Sequence, residues 1–266
     1  MTKRYKISIL GCGWFGFPLA KRLVEAGHQV KGSTTTSAKI ADLQSAGIDA
    51  YLFELDKDEI PESFFDSELL ILGVPPRMRS GQGEDYAGKI IRLTERLSGT
   101  FVKQLIFISS TSVFSDTNSI LNEYATPSPE TASGKAILAV ESYLRNCSSF
   151  DTTIIRFSGL IGPGRDPGRF FGGKTNIPNG QSPVNLIHLD DCIGITMSVL
   201  EREAFGNIFH AVAPQHPLKS TFYSKASTDA GFIRPEFVDE LTSWKIIESI
   251  NVTKLLNYVF KQKISE

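Results

Sequence analysis

The chain has 266 residues, of which 41% are hydrophobic and 21% charged; this is ordinary globular usage, which excludes a disordered chain and allows one large α/β domain or two modest ones. The 28 Lys+Arg nearly balance 29 Asp+Glu, for a formal net charge of -1, so there is no global basic field for nucleic acid or an anionic membrane. Cys12, Cys147 and Cys192 are odd in number and widely spaced, which excludes a disulfide framework and a CxxC metal site and leads to the expectation of a reducing, cytoplasmic setting.

Lys3, Arg4 and Lys6 precede an apolar stretch over 7–20, but Gly11, Gly13, Gly16 and Pro18 interrupt it. A buried strand at 7–10 running into a glycine turn fits better than a signal peptide, and no segment approaches the ~18 apolar residues of a membrane helix. Leu19, Ala20, Leu23 and Val24 recur at helical spacing until Gly27. The pattern then predicts a weak strand at 29–32, a hydroxyl-rich turn at 33–37, a helix over 38–46 and strands at 50–53 and 69–72. A helix over 86–97, a strand at 105–108, a helix over 136–144 and a strand at 152–157 follow. Residues 159–183 are rich in Gly, Pro and Arg and predict long loops; beyond them come helices over 190–200, 222–230 and 252–256 and a strand at 207–212. Strands alternating with helices on this scale predict a doubly wound parallel α/β sheet, with ligands at the carboxyl ends of its strands. Residues 1–156 are expected to form a dinucleotide-binding Rossmann core. Residues 157–266 are expected to form a smaller substrate-binding portion with segments returning to the core.

Gly11-Cys12-Gly13-Trp14-Phe15-Gly16 fits G-x-G-x-x-G between a predicted strand and a predicted helix. The first glycine permits the tight turn, the second lets backbone approach a pyrophosphate and the third lets helix and strand pack closely. At the end of the second strand an NAD site usually carries an acid for the ribose 2′-hydroxyl; this chain offers Ser33, Thr34, Thr35, Thr36 and Ser37, with Lys39 nearby. Hydroxyls and a cation accommodate a 2′-phosphate, so NADP is expected, with NAD as the alternative. Arg77 and Arg79, after the fourth strand, are further candidates to face the phosphates, and Gly73 and Val74 to line the same site.

Residues 107–114 (Phe-Ile-Ser-Ser-Thr-Ser-Val-Phe), 156–165 (Arg-Phe-Ser-Gly-Leu-Ile-Gly-Pro-Gly-Arg) and 185–191 (Asn-Leu-Ile-His-Leu-Asp-Asp), together with the glycine loop, resemble the extended short-chain dehydrogenase/reductases, the NAD(P)-dependent epimerase/dehydratase group. That resemblance places Ser110 at the catalytic Ser/Thr position, Lys135 at the lysine of Y-x-x-x-K and Asp56 at the adenine-contacting position. Thr131 stands four residues before Lys135, where the group has its proton-donating tyrosine, and no tyrosine here is followed four residues later by lysine. An aliphatic hydroxyl is a far weaker acid than a phenol, so the resemblance implies an atypical member with that tyrosine replaced. Tyr124 and His188 are candidate substitutes, against the plainer readings of a loop aromatic and a backbone anchor. Arg165 and Arg169 suit an anionic substrate group. The four histidines show no metal spacing, so no metal is expected. Two functions stay open: an epimerase-like oxidoreductase acting on a small sugar-like or anionic substrate, or a non-catalytic NADP(H)-sensing or scaffolding module. The chain is expected to act as a monomer or homodimer, with no nucleic-acid or membrane partner.

Overall fold

A computed structural model describes residues 3–55, 59–76 and 85–264. The first half alternates β1 (Lys6–Leu10), α1 (Gly16–Glu25), β2 (Gln29–Thr34), α2 (Ile40–Ser45), β3 (Asp49–Leu52), β4 (Leu69–Leu72), α3 (Tyr86–Glu95), β5 (Gln104–Ser110), the short β6 (Ser119–Leu121), α4 (Ala132–Arg145) and β7 (Asp151–Phe157). The second half contains β8 (Gly159–Ile161), α5 (Gly168–Phe171), β9 (Leu186–His188), α6 (Leu189–Glu201), β10 (Ile208–Ala211), α7 (Lys219–Asp229), β11 (Lys245–Ile247) and α8 (Ile250–Leu256).

Seven strands form one parallel sheet in the order β10-β7-β5-β4-β1-β2-β3. The doubly wound α/β class is therefore the observed one. Period-2 alternation splits each apolar strand between two cores. In β4, Leu69 and Ile71 face the layer that holds α1, α6 and α8, while Leu70 and Leu72 face the layer that holds α3 and α4. All four are buried, which is why this short run forms a central strand at the residues the sequence predicts.

β1 has β2 on one side and β4 on the other, so the chain winds away from it in both directions. That reversal opens a crevice at the carboxyl ends of β1 and β4. The first helix ends at Gly27, whose φ is 87°, a left-handed conformation natural for glycine after a helix. β2 runs two residues beyond its predicted end, so Ser33 and Thr34 belong to the strand and the hydroxyl-rich turn starts at Thr35. Residues 159–183 are not all loop: β8 pairs with β9 and α5 packs on α7. β6 and β11 form a second small parallel sheet, and an apolar cluster around Leu186, Phe222 and Tyr223 anchors this region.

Candidate functional site

The glycine loop shows three different reasons for three glycines. Gly11 has φ 99°, a region that strains side-chain-bearing residues. A Cβ on Gly16 would lie 2.2 Å from the Gly11 carbonyl oxygen, so helix and loop touch as backbone, whereas a Cβ on Gly13 would meet nothing within 4 Å. Packing therefore does not require a glycine at position 13, and the exposed loop has room above it. The loop is pinned to β2: the Cys12 amide donates to the Ser33 carbonyl at 2.8 Å and the Gly11 amide to Ser33 Oγ at 3.0 Å. α1 starts with no side-chain cap and no acid in its first turn, which leaves the positive end of its dipole uncompensated. Burial pushes the Cys12 thiol up to about 12, the signature of a packing residue and not of a nucleophile.

A groove of about 400 Å³ opens along this loop, within the range of small-molecule sites. Gly11, Gly13, Ser33, Thr34, Thr35, Gly73 and Val74 all line it, so most of the expected cofactor set is brought together. The hydroxyls are not equivalent. Ser33 and Thr34 are buried, and Thr34 Oγ1 accepts the Thr36 amide at 3.2 Å, whereas Thr35, Thr36 and Lys39 are exposed at the rim. Sequence reasoning missed Glu54 and Tyr86 in the lining; the Tyr86 hydroxyl donates to the Val74 carbonyl at 2.8 Å, which fixes the β4 edge of the groove. Two expected positions behave differently. Phe15 is buried edge-on against Phe157, 4.9 Å between ring centroids, and Trp14 lines a neighbouring hollow that shares Gly13 and Lys39 with the groove. Asp56, Arg77 and Arg79 lie outside the described residues.

The residues expected to carry chemistry sit apart from the groove, at the carboxyl end of β5. Ser110 Oγ accepts the Ser112 amide at 3.1 Å. Thr131 is the N-cap of α4, its Oγ1 accepting the Gly134 amide at 3.0 Å. Gly134 lies against the Ser112 carbonyl, where a Cβ would come within 2.3 Å, so the start of α4 is seated on the turn after Ser110. Lys135 is exposed on that first turn. Tyr124 donates to Asn251 Oδ1 at 3.3 Å and is 72% exposed, so its phenol faces the C-terminal segment. His188 caps α6, Nδ1 accepting the Asp190 amide at 3.2 Å, the backbone-anchoring role. The Arg165 guanidinium lies 4.4 Å over the Trp14 indole, and Arg169 lies 6.0 Å from the Phe232 ring on the exposed face of α5.

Beneath this end lies a buried polar network that sequence reasoning did not find. Arg156 on β7 donates to both Glu141 carboxylate oxygens, at 2.9 and 2.6 Å, and both side chains are 2% exposed. Ser109 donates to the same carboxylate at 2.5 Å, and Arg156 Nη1 reaches His210 Nε2 at 3.3 Å. Arginine only donates, so Nε2 must accept, and Nδ1 carries the proton and donates to the Glu248 carbonyl at 3.1 Å. Burial first, and then the Arg156 charge, push His210 down to about 3, so it is neutral throughout the physiological range. Glu123 completes the arrangement by accepting the amides of His210, Ile250 and Asn251; its burial raises its pKa against the effect of those bonds.

Among the described residues, no group of three His, Cys, Asp or Glu side chains could hold a metal ion, and no helix is long and apolar enough to cross a membrane. Over 264 residues the chain is 35% identical to Protein YeeZ from Escherichia coli, covering 96% of each chain. Residues 6–84 match the family described as NADP oxidoreductase coenzyme F420-dependent. Among solved structures, UDP-glucuronic acid 4-epimerase from Bacillus cereus in complex with NAD superposes with a TM-score of 0.79 at 17% identity, over 97% of this chain and 94% of that one. A short-chain dehydrogenase/reductase superfamily protein from Agrobacterium tumefaciens with bound NAD superposes with a TM-score of 0.78 at 15% identity, over 97% and 93%. These two likenesses show the fold alone, a Rossmann-type parallel sheet.

Proposed function

The chain belongs to the family of Protein YeeZ, and we propose that it is an NAD(P)-binding, epimerase/dehydratase-like oxidoreductase that takes NADP(H) and acts on a small sugar-like or anionic substrate. The observation that carries this reading is Gly13: a backbone position with open space above it, beside an uncapped helix start. That arrangement suits a pyrophosphate and serves no packing purpose of the protein. Thr35, Thr36 and Lys39 are the rim residues for a ribose 2′-phosphate, and the match of residues 6–84 to an NADP oxidoreductase family supports that choice. When bound, the nicotinamide supplies hydride transfer. The chain's part is positioning. Ser110 Oγ accepts one backbone N–H and keeps its own proton to donate to a substrate oxygen. Lys135 is the cation for the nicotinamide ribose.

Titration of NADPH and NADH into the wild type and Gly13→Asp tests the reading. The variant places a carboxylate where the chain has room for it, so it should fold normally and lose at least about 100-fold in affinity through like-charge repulsion. Unchanged affinity would reject the site, and tighter native binding of NADH would reject the choice of NADP. One observation favours a second reading, a dinucleotide-sensing module without turnover: position 131 holds a helix-capping threonine, whose aliphatic hydroxyl is a far weaker acid than a phenol. The sensing reading predicts dinucleotide binding without oxidation of NADPH on any panel of sugar nucleotides and small carbonyl compounds.

A further inference from the structure

We infer that Arg165 grips the phosphates of the dinucleotide from outside the glycine loop, with Trp14 as its platform. The inference rests on reading that loop as a dinucleotide site. Residues 162–165 form a tight turn closed in both directions, with the Gly162 amide donating to the Arg165 carbonyl at 3.3 Å and the Arg165 amide to the Gly162 carbonyl at 2.8 Å. Two contacts seat this turn on Trp14. The indole Nε1 donates to the Pro163 carbonyl at 2.6 Å. Gly162, at φ 139°, packs so closely that a Cβ there would stand 3.4 Å from Trp14 Cζ2 and 3.2 Å from His188 Nε2. The turn therefore holds a fixed relation to the residue adjoining Gly13, although nearly 150 positions separate the two in sequence.

The guanidinium uses this platform in a particular way. It lies over the indole, with Cζ 4.4 Å from the ring centroid. A cation held against an aromatic ring keeps guanidinium N–H groups that can donate to phosphate oxygens. Among the described residues no carboxylate forms an ion pair with Arg165. An exposed arginine held on an aromatic platform, without a carboxylate partner, beside a loop with open space, is placed to receive an anion. The same geometry moves Arg165 from the expected substrate set to the cofactor.

The test is the affinity of the full-length wild type, Arg165→Met and Arg165→Lys for NADPH, and for adenosine 2′-monophosphate, which carries the 2′-phosphate but lacks the pyrophosphate. Arg165→Met should bind NADPH about tenfold more weakly, a loss of about 1.4 kcal/mol, and adenosine 2′-monophosphate as the wild type does. Arg165→Lys, which keeps the charge without the planar fork, should lie between. In a Trp244→Phe background, NADPH should change the emission of Trp14, and Arg165→Met should reduce that change. NADPH affinity within twofold of wild type in Arg165→Met would overturn the inference. An equal loss for both ligands would also overturn it, because it would mark a general structural role. A wild type that binds no dinucleotide would instead reject the reading of the glycine loop, and this inference with it.

Discussion

Two sites at the carboxyl edge of the sheet, the glycine loop after β1 and the turn after β5, use hydroxyl groups for the same purpose with opposite consequences. At β1, Ser33 Oγ satisfies the Gly11 amide and Thr34 Oγ1 the Thr36 amide. The first of these part-buried bonds holds the glycine loop, in which Gly13, with no side chain, faces open space. At β5, Ser110 Oγ satisfies the Ser112 amide and Thr131 Oγ1 the Gly134 amide. There the side chains that brace local structure are the very ones expected to carry chemistry. In the proposed function backbone does the recognising at the first end, so fixing it with side chains costs nothing in that function. At the second end, recognition and scaffolding draw on the same few atoms. The contrast predicts that the β1 end tolerates damage elsewhere in the molecule, and that the β5 end depends on the network beneath it.

The largest effect should come from that network. Glu141 on α4 holds Arg156 on β7 in a two-point bond inside a nearly water-free interior. Removing one partner leaves an uncompensated buried charge, which typically costs about 3–5 kcal/mol. Glu141→Leu should therefore lower unfolding free energy in urea by roughly that amount. Double replacement with Arg156→Met should recover much of it, since an apolar pair leaves no unpaired charge. NADPH affinity at a temperature where the single variant remains folded should be unchanged. A parallel fall in affinity would break the contrast, because it would show the two ends are coupled.

His210 gives the next effect, in pH. Its folded pKa is lowered to about 3 from an ordinary 6.5, so on acidification the unfolded chain takes up the proton well before the folded chain does. Stability is therefore fully present above the unfolded pKa and is lost as the pH falls through 6.5 toward the folded value. The loss attributable to this one residue is about 2 kcal/mol between about pH 6.5 and pH 4.5. His210→Gln keeps an acceptor for Arg156 without a titrating ring, so its stability should fall less steeply over that window. Urea denaturation of both proteins at several pH values checks this, and identical slopes would contradict the assignment of a neutral, buried His210.

The sheet and the glycine loop were legible because their signals are local. The run Leu69–Leu72 is apolar on both faces, as a central parallel strand must be, and the three glycines stand together between a strand and a helix. What sequence reading missed depends on distant partners. β6 and β11 are three residues each and pair Ser119 with Lys245 across more than 120 positions, too short to show any period. The network carried one faint signal, a cation at Arg156 within an otherwise apolar strand end, between Ile155 and Phe157. Its partners lie 15 and 54 positions away, and nothing in a single sequence pairs them. The hydroxyls at β2 were visible as a cluster, but their division into pinned Ser33 and Thr34 and rim-exposed Thr35 and Thr36 depends on where the strand ends.

The smallest effect on stability, and the sharpest division between the two readings of function, lies at Thr131. Its backbone is extended, at φ -75° and ψ 148°, and its hydroxyl accepts the Gly134 amide, as an N-cap should. Thr131→Ser should therefore leave stability unchanged and Thr131→Ala cost about 1 kcal/mol by loss of the cap. Thr131→Tyr removes the same cap, so it should cost a similar amount, yet the site is exposed and offers room for the ring. The Lys135 amide donates to the Thr131 carbonyl at 3.0 Å, which places the two residues one turn apart at the helix start. A phenol at 131 thus enters the spacing that the epimerase-like group uses for its proton donor. If Thr131 is where an acid is missing, Thr131→Tyr should raise NADPH-dependent turnover on a panel of sugar nucleotides and small carbonyl compounds, by a factor of up to about 10² to 10⁴, while Thr131→Ala, equally uncapped, should not. Equal rates in the two variants, both folded and both binding NADPH, would mean that the threonine is there for the helix alone, and would favour the sensing module over the enzyme.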